Sequence, residues 1–398
     1  SIVRIFVMLL MLVSFSNVRA QDSLFIKSIV AYEYENIDSS LYYINQAIEN
    51  GTPSYCHYLQ RAKIKLQLYI SDSAISDFLK SENLKKGSAA LYLARYYATH
   101  SEHEKAIAFL HDHLASEFKV DRSVIDSDRA FENISKTNMW ESLWDTAWYS
   151  EYEQVVYKAK QLLSSKKTIE AYDLIQENIG NDNNGELRYL SGVCWLQMGN
   201  NKTAISEILN AIKKNQNNVQ MLQTLTDLYI DEEKYEDALF SVNKMCRRYP
   251  DSVKFHRLKA KILFLSQKYD QSLQEVSEYL KYYYNDHAMW YMQALSFKEI
   301  DQFLSSLLSF NRAISLEKGN QDYFVERGKL FKEMKNYESA FRDFSMAIDL
   351  NPRIAEIWEM RGETNVALEK FDAACFDFKF AKQLGSTKGI TNFKMYCK

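Results

Sequence analysis

Apolar positions along this chain recur at helical spacing and then recur again as whole blocks. In 321–354, Phe324, Arg327, Gly328 and Phe331 stand at i, i+3, i+4 and i+7, one face of a helix. Ala340, Phe344 and Ala347 form a second such face, and Asn351-Pro352 closes it, because proline drives the preceding residue out of helical geometry. The pattern predicts two helices per block, with small residues where neighbouring helices touch. Mid-helix glycine costs roughly 1 kcal/mol against alanine, so its return marks a close approach that a larger side chain would prevent.

The block length is 34 residues. Gly192, Gly328 and Gly362 share one slot of the period, and Pro250 and Pro352 share another. Units start at 152, 185, 219, 253, 287, 321 and 355, carrying pairs such as Ala159/Ala171, Trp195/Ala204, Leu225/Ala238, Ala260/Tyr269, Ala294/Phe310 and Gly362/Phe378. Upstream the register is looser: Ala62, Ala74 and Phe78 fit a 55–86 unit, Ala94 and Ala106 an 87–120 unit, and Ala31, Ile44 and Ala47 a 21–54 unit. Reuse of one supersecondary unit predicts an extended binding surface.

These slots resemble the tetratricopeptide repeat: an aromatic, Leu-Gly, an aromatic, Ala with Phe four residues later, and a closing Pro. Asn365 departs from the pattern at an aromatic slot, and Thr226 at the glycine slot. The resemblance implies an all-α fold, a right-handed superhelical solenoid of helical hairpins. Its organisation reads as a looser block over 21–120, an off-register segment over 121–151, a stronger block over 152–388 and a capping segment over 389–398. The last apolar seam needs covering; if 389–398 fails to cap it, the seam offers a homo-oligomer contact.

In the off-register segment Trp140, Trp144 and Trp148 fall four residues apart, one stripe if the helix continues. Two readings stand: a helix that plugs the joint between the blocks, or an exposed aromatic patch for a partner or glycan.

The resemblance implies that the first helix of each unit lines a concave groove. Lys254, Arg257 and Lys261 then form a basic stripe there, with Phe264 and Tyr291 beside it, and Glu356, Glu359 and Glu363 an acidic stripe three units later. Opposite charges along a groove orient a docking segment, although solvated helix faces also carry such stripes. The carboxylate-clamp pattern of chaperone-binding family members is not reproduced.

Composition adds little chemistry. The 398 residues carry a net charge of -3, with 3 Pro and 11 Gly, which argues against general nucleic-acid binding and for helix. Arg4, the apolar run Ile5–Val13 and Val18-Arg19-Ala20 predict a cleaved secretory signal over 1–20; an uncleaved anchor is the alternative. The chain opens on Ser1, so at least one upstream residue is expected. Among five cysteines, Cys375 and Cys397 could bridge if the terminal helix folds back, with buried free thiols as the alternative.

No phosphate-binding loop, nucleophile turn or zinc-protease helix appears, and His100, His103, His111 and His113 read as solvated surface. No catalytic residue, cofactor, metal or mature transmembrane segment is expected. The expected function is a non-catalytic scaffold of the cell envelope, periplasmic or outer-membrane associated, holding a protein or peptide partner. The alternative is a receptor for glycan or peptidoglycan fragments on the tryptophan segment.

Overall fold

The computed structural model describes residues 23–249 and 252–397. The leader expected over 1–20 and the Pro250 slot lie outside the described residues. The described residues form 23 α-helices and a few single 3-10 turns, with no strand among them. They divide into two units, one up to residue 252 and one from 253.

The first unit opens with three hairpins: α1 (Ser23–Glu33) with α2 (Ile37–Asn50), α3 (Tyr55–Gln67) with α4 (Ser71–Leu84), and α5 (Ala90–Thr99) with α6 (His103–Leu114). The short α7 (Arg122–Asp126) and α8 (Asn138–Trp144) follow. Three further hairpins complete it: α9 (Glu151–Ser164) with α10 (Thr168–Asn178), α11 (Glu186–Gln197) with α12 (Asn201–Lys214), and α13 (Val219–Asp231) with α14 (Tyr235–Arg248). The second unit holds four hairpins: α15 (Lys254–Leu265) with α16 (Tyr269–Leu280), α17 (His287–Glu299) with α18 (Phe303–Leu316), α19 (Gln321–Glu333) with α20 (Tyr337–Leu350), and α21 (Ala355–Ala367) with α22 (Phe371–Gln383). A last helix, α23 (Thr387–Tyr396), ends the described chain.

Within each hairpin a small residue on the first helix meets a large one on the second. A Cβ added at Gly328 would lie 2.8 Å from the Phe344 ring, and one at Gly362 2.5 Å from Phe378. Ile44, Phe78, Leu110, Ile175, Ile208, Val242, Val276, Phe310, Phe344 and Phe378 occupy the matching slot of the second helix, all fully buried. Where serine replaces alanine in the second helix it finds a partner. Ser40, Ser272 and Ser306 donate to the carbonyls of Ser28, Ala260 and Ala294 at 2.8, 2.9 and 2.7 Å. No hydroxyl is stranded at those contacts, as burial requires.

The turn between the two helices repeats as faithfully as the seam. Glu35, Tyr69, Ser101, Lys166, Gly199, Glu233, Gln267, Asp301, Lys335 and Glu369 all take positive φ near 60–80°, one in each hairpin. The next residue's N–H returns to the carbonyl five residues back, as Lys268 to Leu263 at 2.8 Å and Asn336 to Phe331 at 2.8 Å. This is the Schellman closure. Only one of the ten is glycine, so the turn stores a little backbone strain in most hairpins.

Residues 121–150 break this plan inside the first unit. Asp121 and Asp128 accept from the Ser123 and Ala130 N–H groups and turn the chain in steps too short for a hairpin. Ile125, Phe131, Ile134, Trp140 and Leu143 pack with Ala94, Ala98, Ala106, Leu110 and Leu114 as one core cluster. The segment therefore covers the open seam of the α5/α6 hairpin. At its far end Tyr149 donates to the Val120 carbonyl at 2.7 Å, and Lys119 pairs with Glu153 of α9 at 2.9 Å.

Candidate functional site

The first helices of the second unit bring the charged slots onto one face. Lys254, Arg257 and Lys261 are exposed on α15, since the opposite side of that helix is spent on Phe255, Ala260, Ile262 and Leu263. Arg257 Nε donates to Asp286 at 3.0 Å, with its side chain still 48% exposed. Asp286 also caps α17 by accepting from the Met289 N–H at 3.2 Å and takes a 2.9 Å bond from the Tyr279 hydroxyl.

Aromatic rings continue this face. Phe264 lies edge-on to Tyr269, with centroids 5.6 Å apart. Tyr291 sits 4.6 Å from Tyr323 and 5.9 Å from Phe310, and His287 Nδ1 lies 2.6 Å from the Tyr323 oxygen. Burial first, then Glu326 and Asp322, hold the Tyr291 hydroxyl well above its ordinary range. It is a neutral hydrogen-bonding group at any working pH.

At the other end the acidic stripe is not an open surface. Glu356 is exposed, but Glu359 is buried and accepts a bond from the Ser386 hydroxyl. Glu363 is held between Lys332 of α19 and Lys388 of α23, the latter at 2.5 Å. Burial pushes the Glu363 carboxyl up, but the two lysines together bring it below its usual range. Helix α23 lies on this end of the face, which is why two of the three carboxylates are consumed. The expected pair of opposite free stripes reduces to an exposed basic end and a covered acidic end.

The tryptophans likewise do not form an exposed stripe. Trp140 is 7% exposed and packs on Phe131 at 5.7 Å. Trp144 is half-buried 5.8 Å from Trp140, with the Arg122 guanidinium 4.3 Å over its ring. Trp148 lies past the end of α8; its indole N–H donates to the Leu143 carbonyl at 2.7 Å. The four-residue spacing makes a stripe only while the helix continues, and α8 stops at Trp144. A recess of about 390 Å³ opens beside Trp148, lined also by His111, Met139 and Thr146.

The histidines do not converge, and no group of three metal-ligating side chains gathers among the described residues. His113 is a correction to the solvated-surface expectation. It is 2% exposed, and its Nε2 accepts from the Val120 N–H at 3.2 Å. Burial, then Arg95, lower its pKa to about 4. Cys375 and Cys397 are joined by a disulfide, their Cα atoms 5.3 Å apart, while Cys56 and Cys194 are buried and take no part in it.

Arginine straps also join successive hairpins. Arg327 grips Asp343 sixteen residues on with Nε and Nη2, at 2.7 and 2.6 Å, and reaches Asn311 sixteen residues back with Nη1, at 2.6 Å. Arg361 repeats this with Asp377 and Ser345, and Arg61, in the first unit, with Asp77 and Asn45. Each arginine ties its own hairpin to the preceding one through a planar fork. Asn365 explains its odd slot here, donating to Asp377 at 2.8 Å. Burial raises the Asp377 carboxyl despite Arg361 and Asn365; at Asp77 burial acts the same way, but Arg61 and Lys65 bring it below the usual range. The signal was the pairing of Arg-Gly or Arg-Ala with Asp-Phe sixteen residues later.

No family model matches the chain. Over 227 residues, 56% of this chain, it is 23% identical to a TPR repeat-containing protein of Methanocaldococcus jannaschii, a match spanning 36% of that relative's length. The solved C-terminal part of a TPR repeat-containing protein from Cytophaga hutchinsonii superposes with a TM-score of 0.51 at 13% identity, covering 60% of this chain and all of that one. The fold is that of the tetratricopeptide repeat. A tetratricopeptide repeat protein from Parabacteroides merdae is also similar, at 19% identity over 62% of this chain and 99% of its own, with a TM-score of 0.46. Identities this low speak to fold alone. No helix among the described residues is long and apolar enough to cross a membrane.

Proposed function

We propose that this chain is a non-catalytic interaction scaffold that holds an acidic segment of a partner protein on the first-helix face of residues 253–397. The observation that carries it is the exposure of Arg257 and Lys261 on one stripe of α15, beside the Phe264 and Tyr291 rings. The carboxylates in the matching slots of α21 are largely covered. Cations near half-buried aromatics attract and orient a carboxylate-bearing segment, and Tyr291 offers it a neutral hydroxyl.

The test replaces Arg257 and Lys261 together by Glu and compares partner recovery after cross-linking in the native envelope. Loss of the recovered species with unchanged helicity supports the reading, and unchanged recovery sinks it. Export belongs to the same proposal, with a mature chain starting near Gln21. N-terminal sequencing of the protein from its native cell checks it, and a retained leader argues against it.

The recess beside Trp148 supports a second reading, a receptor for glycan fragments. A sugar-induced fluorescence change abolished by Trp148→Ala would favour it over the scaffold.

A further inference from the structure

Helix α23 is fastened at both ends to the hairpin it covers. At its start, Ser386 accepts from the Gly389 N–H at 2.8 Å and donates to buried Glu359. Lys388 pairs with Glu363 at 2.5 Å. Gly389 sits so close to α22 that an added Cβ would lie 2.8 Å from Ala381 Cβ and 2.9 Å from the Lys382 nitrogen. Further along, Lys382 reaches the Phe393 ring at 4.5 Å and Tyr396 stacks on Phe378 at 5.7 Å. The Cys375–Cys397 disulfide closes the far end.

The non-covalent grip is thin. Gly389 is the only fully buried residue of the ten in α23, and Met395 is 68% exposed. An isolated helix of this length is unstable in water, so its order depends on what fastens it. Both cysteines are only half-buried, within reach of a reductant. What α23 covers is not inert: Glu359 and Glu363 belong to the first-helix face, Ala381 lies under Gly389, and the Phe378 ring, which fills the inner seam against Gly362, meets Tyr396 on its other side.

We propose that the Cys375–Cys397 disulfide is a latch on a removable cap, and that its reduction by a dithiol releases α23, uncovering the Glu359/Glu363 carboxylates and the seam around Phe378 and Ala381. In that step the S–S bond takes two electrons and two protons and becomes two thiols, while the dithiol becomes a disulfide. The oxidised protein presents the basic end of the face and, of the acidic stripe, Glu356 alone. The reduced one adds an acidic end and an apolar seam, a different surface for partners. The latch stands whether or not an acidic partner binds at α15.

Amide hydrogen exchange on the full chain, oxidised and after dithiothreitol, tests this, with Cys397→Ser as a second route to the unlatched state. The expected result is exchange on the order of tenfold faster or more across 387–396 in both unlatched forms, with α19 and α20 unchanged. Equal protection in oxidised and unlatched forms would overturn the proposal, since non-covalent contacts would then suffice. So would faster exchange spreading through α19 and α20, which would make the bond a general staple. Five titratable thiols in the unreduced, denatured protein would overturn it as well, by showing that no bond forms.

Discussion

Helices α15 and α21 occupy equivalent places in their hairpins, 101 residues apart from Lys254 to Ala355, and their charged slots meet opposite fates. On α15 the cations stand exposed, with Arg257 tied only to Asp286. On α21 the carboxylates at Glu359 and Glu363 are taken up by Ser386, Lys332 and Lys388. The repeat slot says which face a residue lies on. The neighbouring element decides whether that residue is available. For α21 that element is α23.

Loss of an arginine separates the two kinds of first-helix cation most strongly. Arg361 and Arg257 are both on first helices, but Arg361 grips a carboxylate whose side chain is 1% exposed. Arg361→Met should cost about 3–5 kcal/mol, the penalty for leaving a buried charge unpaired, read by denaturant unfolding. Arg257→Met should cost under about 0.5 kcal/mol, as for an exposed side chain. The Arg361→Met deficit should shrink on acidification. Burial already raises the Asp377 carboxyl above its unfolded value of 3.8, so the neutral form, favoured as pH falls through the raised folded value, needs no counter-ion.

Next in size is the frame that makes the slots equivalent. Gly362→Ala places a Cβ 2.5 Å from Phe378 and should cost about 1–3 kcal/mol by overpacking, seen as a lower Tm. The same change at exposed Gly199 has no packing clash to meet, though its positive φ still disfavours alanine.

The covered acidic end should also be sensitive to acid. Glu363 is lowered from 4.5 in the folded state, so its contribution is present above pH 4.5 and is lost as pH falls through the lower folded value. Exchange protection of α23 should therefore weaken below pH 4.5, and unchanged protection there would count against the pairing. Helix α15 shares the trend through Glu275, which burial pushes up but His256 and Lys259 together bring below its usual range.

The smallest effect concerns the turns. Lys335 and Glu369 hold positive φ without being glycine. Replacing either by Gly should stabilise by at most about 1 kcal/mol, the left-handed cost less the added freedom of the unfolded chain. A loss of stability instead would mean that the side chains matter more than the backbone.

The seam was legible in the chain because its residues are chemically extreme: Gly328 against Phe344, and Gly362 against Phe378, can hardly serve elsewhere. The ten left-handed turns were not legible. Their positions are as periodic as the glycines, but Tyr69, Gln267 and Lys335 carry no turn signature, and the closure is made by backbone. The Arg–Asp straps span sixteen residues, which one helical face does not reveal. A four-residue spacing puts Trp148 on the tryptophan stripe only while the helix continues, and the chain leaves α8 at Trp144. The acidic stripe was read on the correct helix, but its cover comes from α23, a helix outside the period.

One measurement bears most directly on the account: quantified recovery of the cross-linked partner by two charge variants of the oxidised protein, Arg257→Glu with Lys261→Glu, and Glu359→Gln with Glu363→Gln. The account predicts that the first loses the partner and the second retains it, because only the basic end is open. Loss in the second with retention in the first would contradict it.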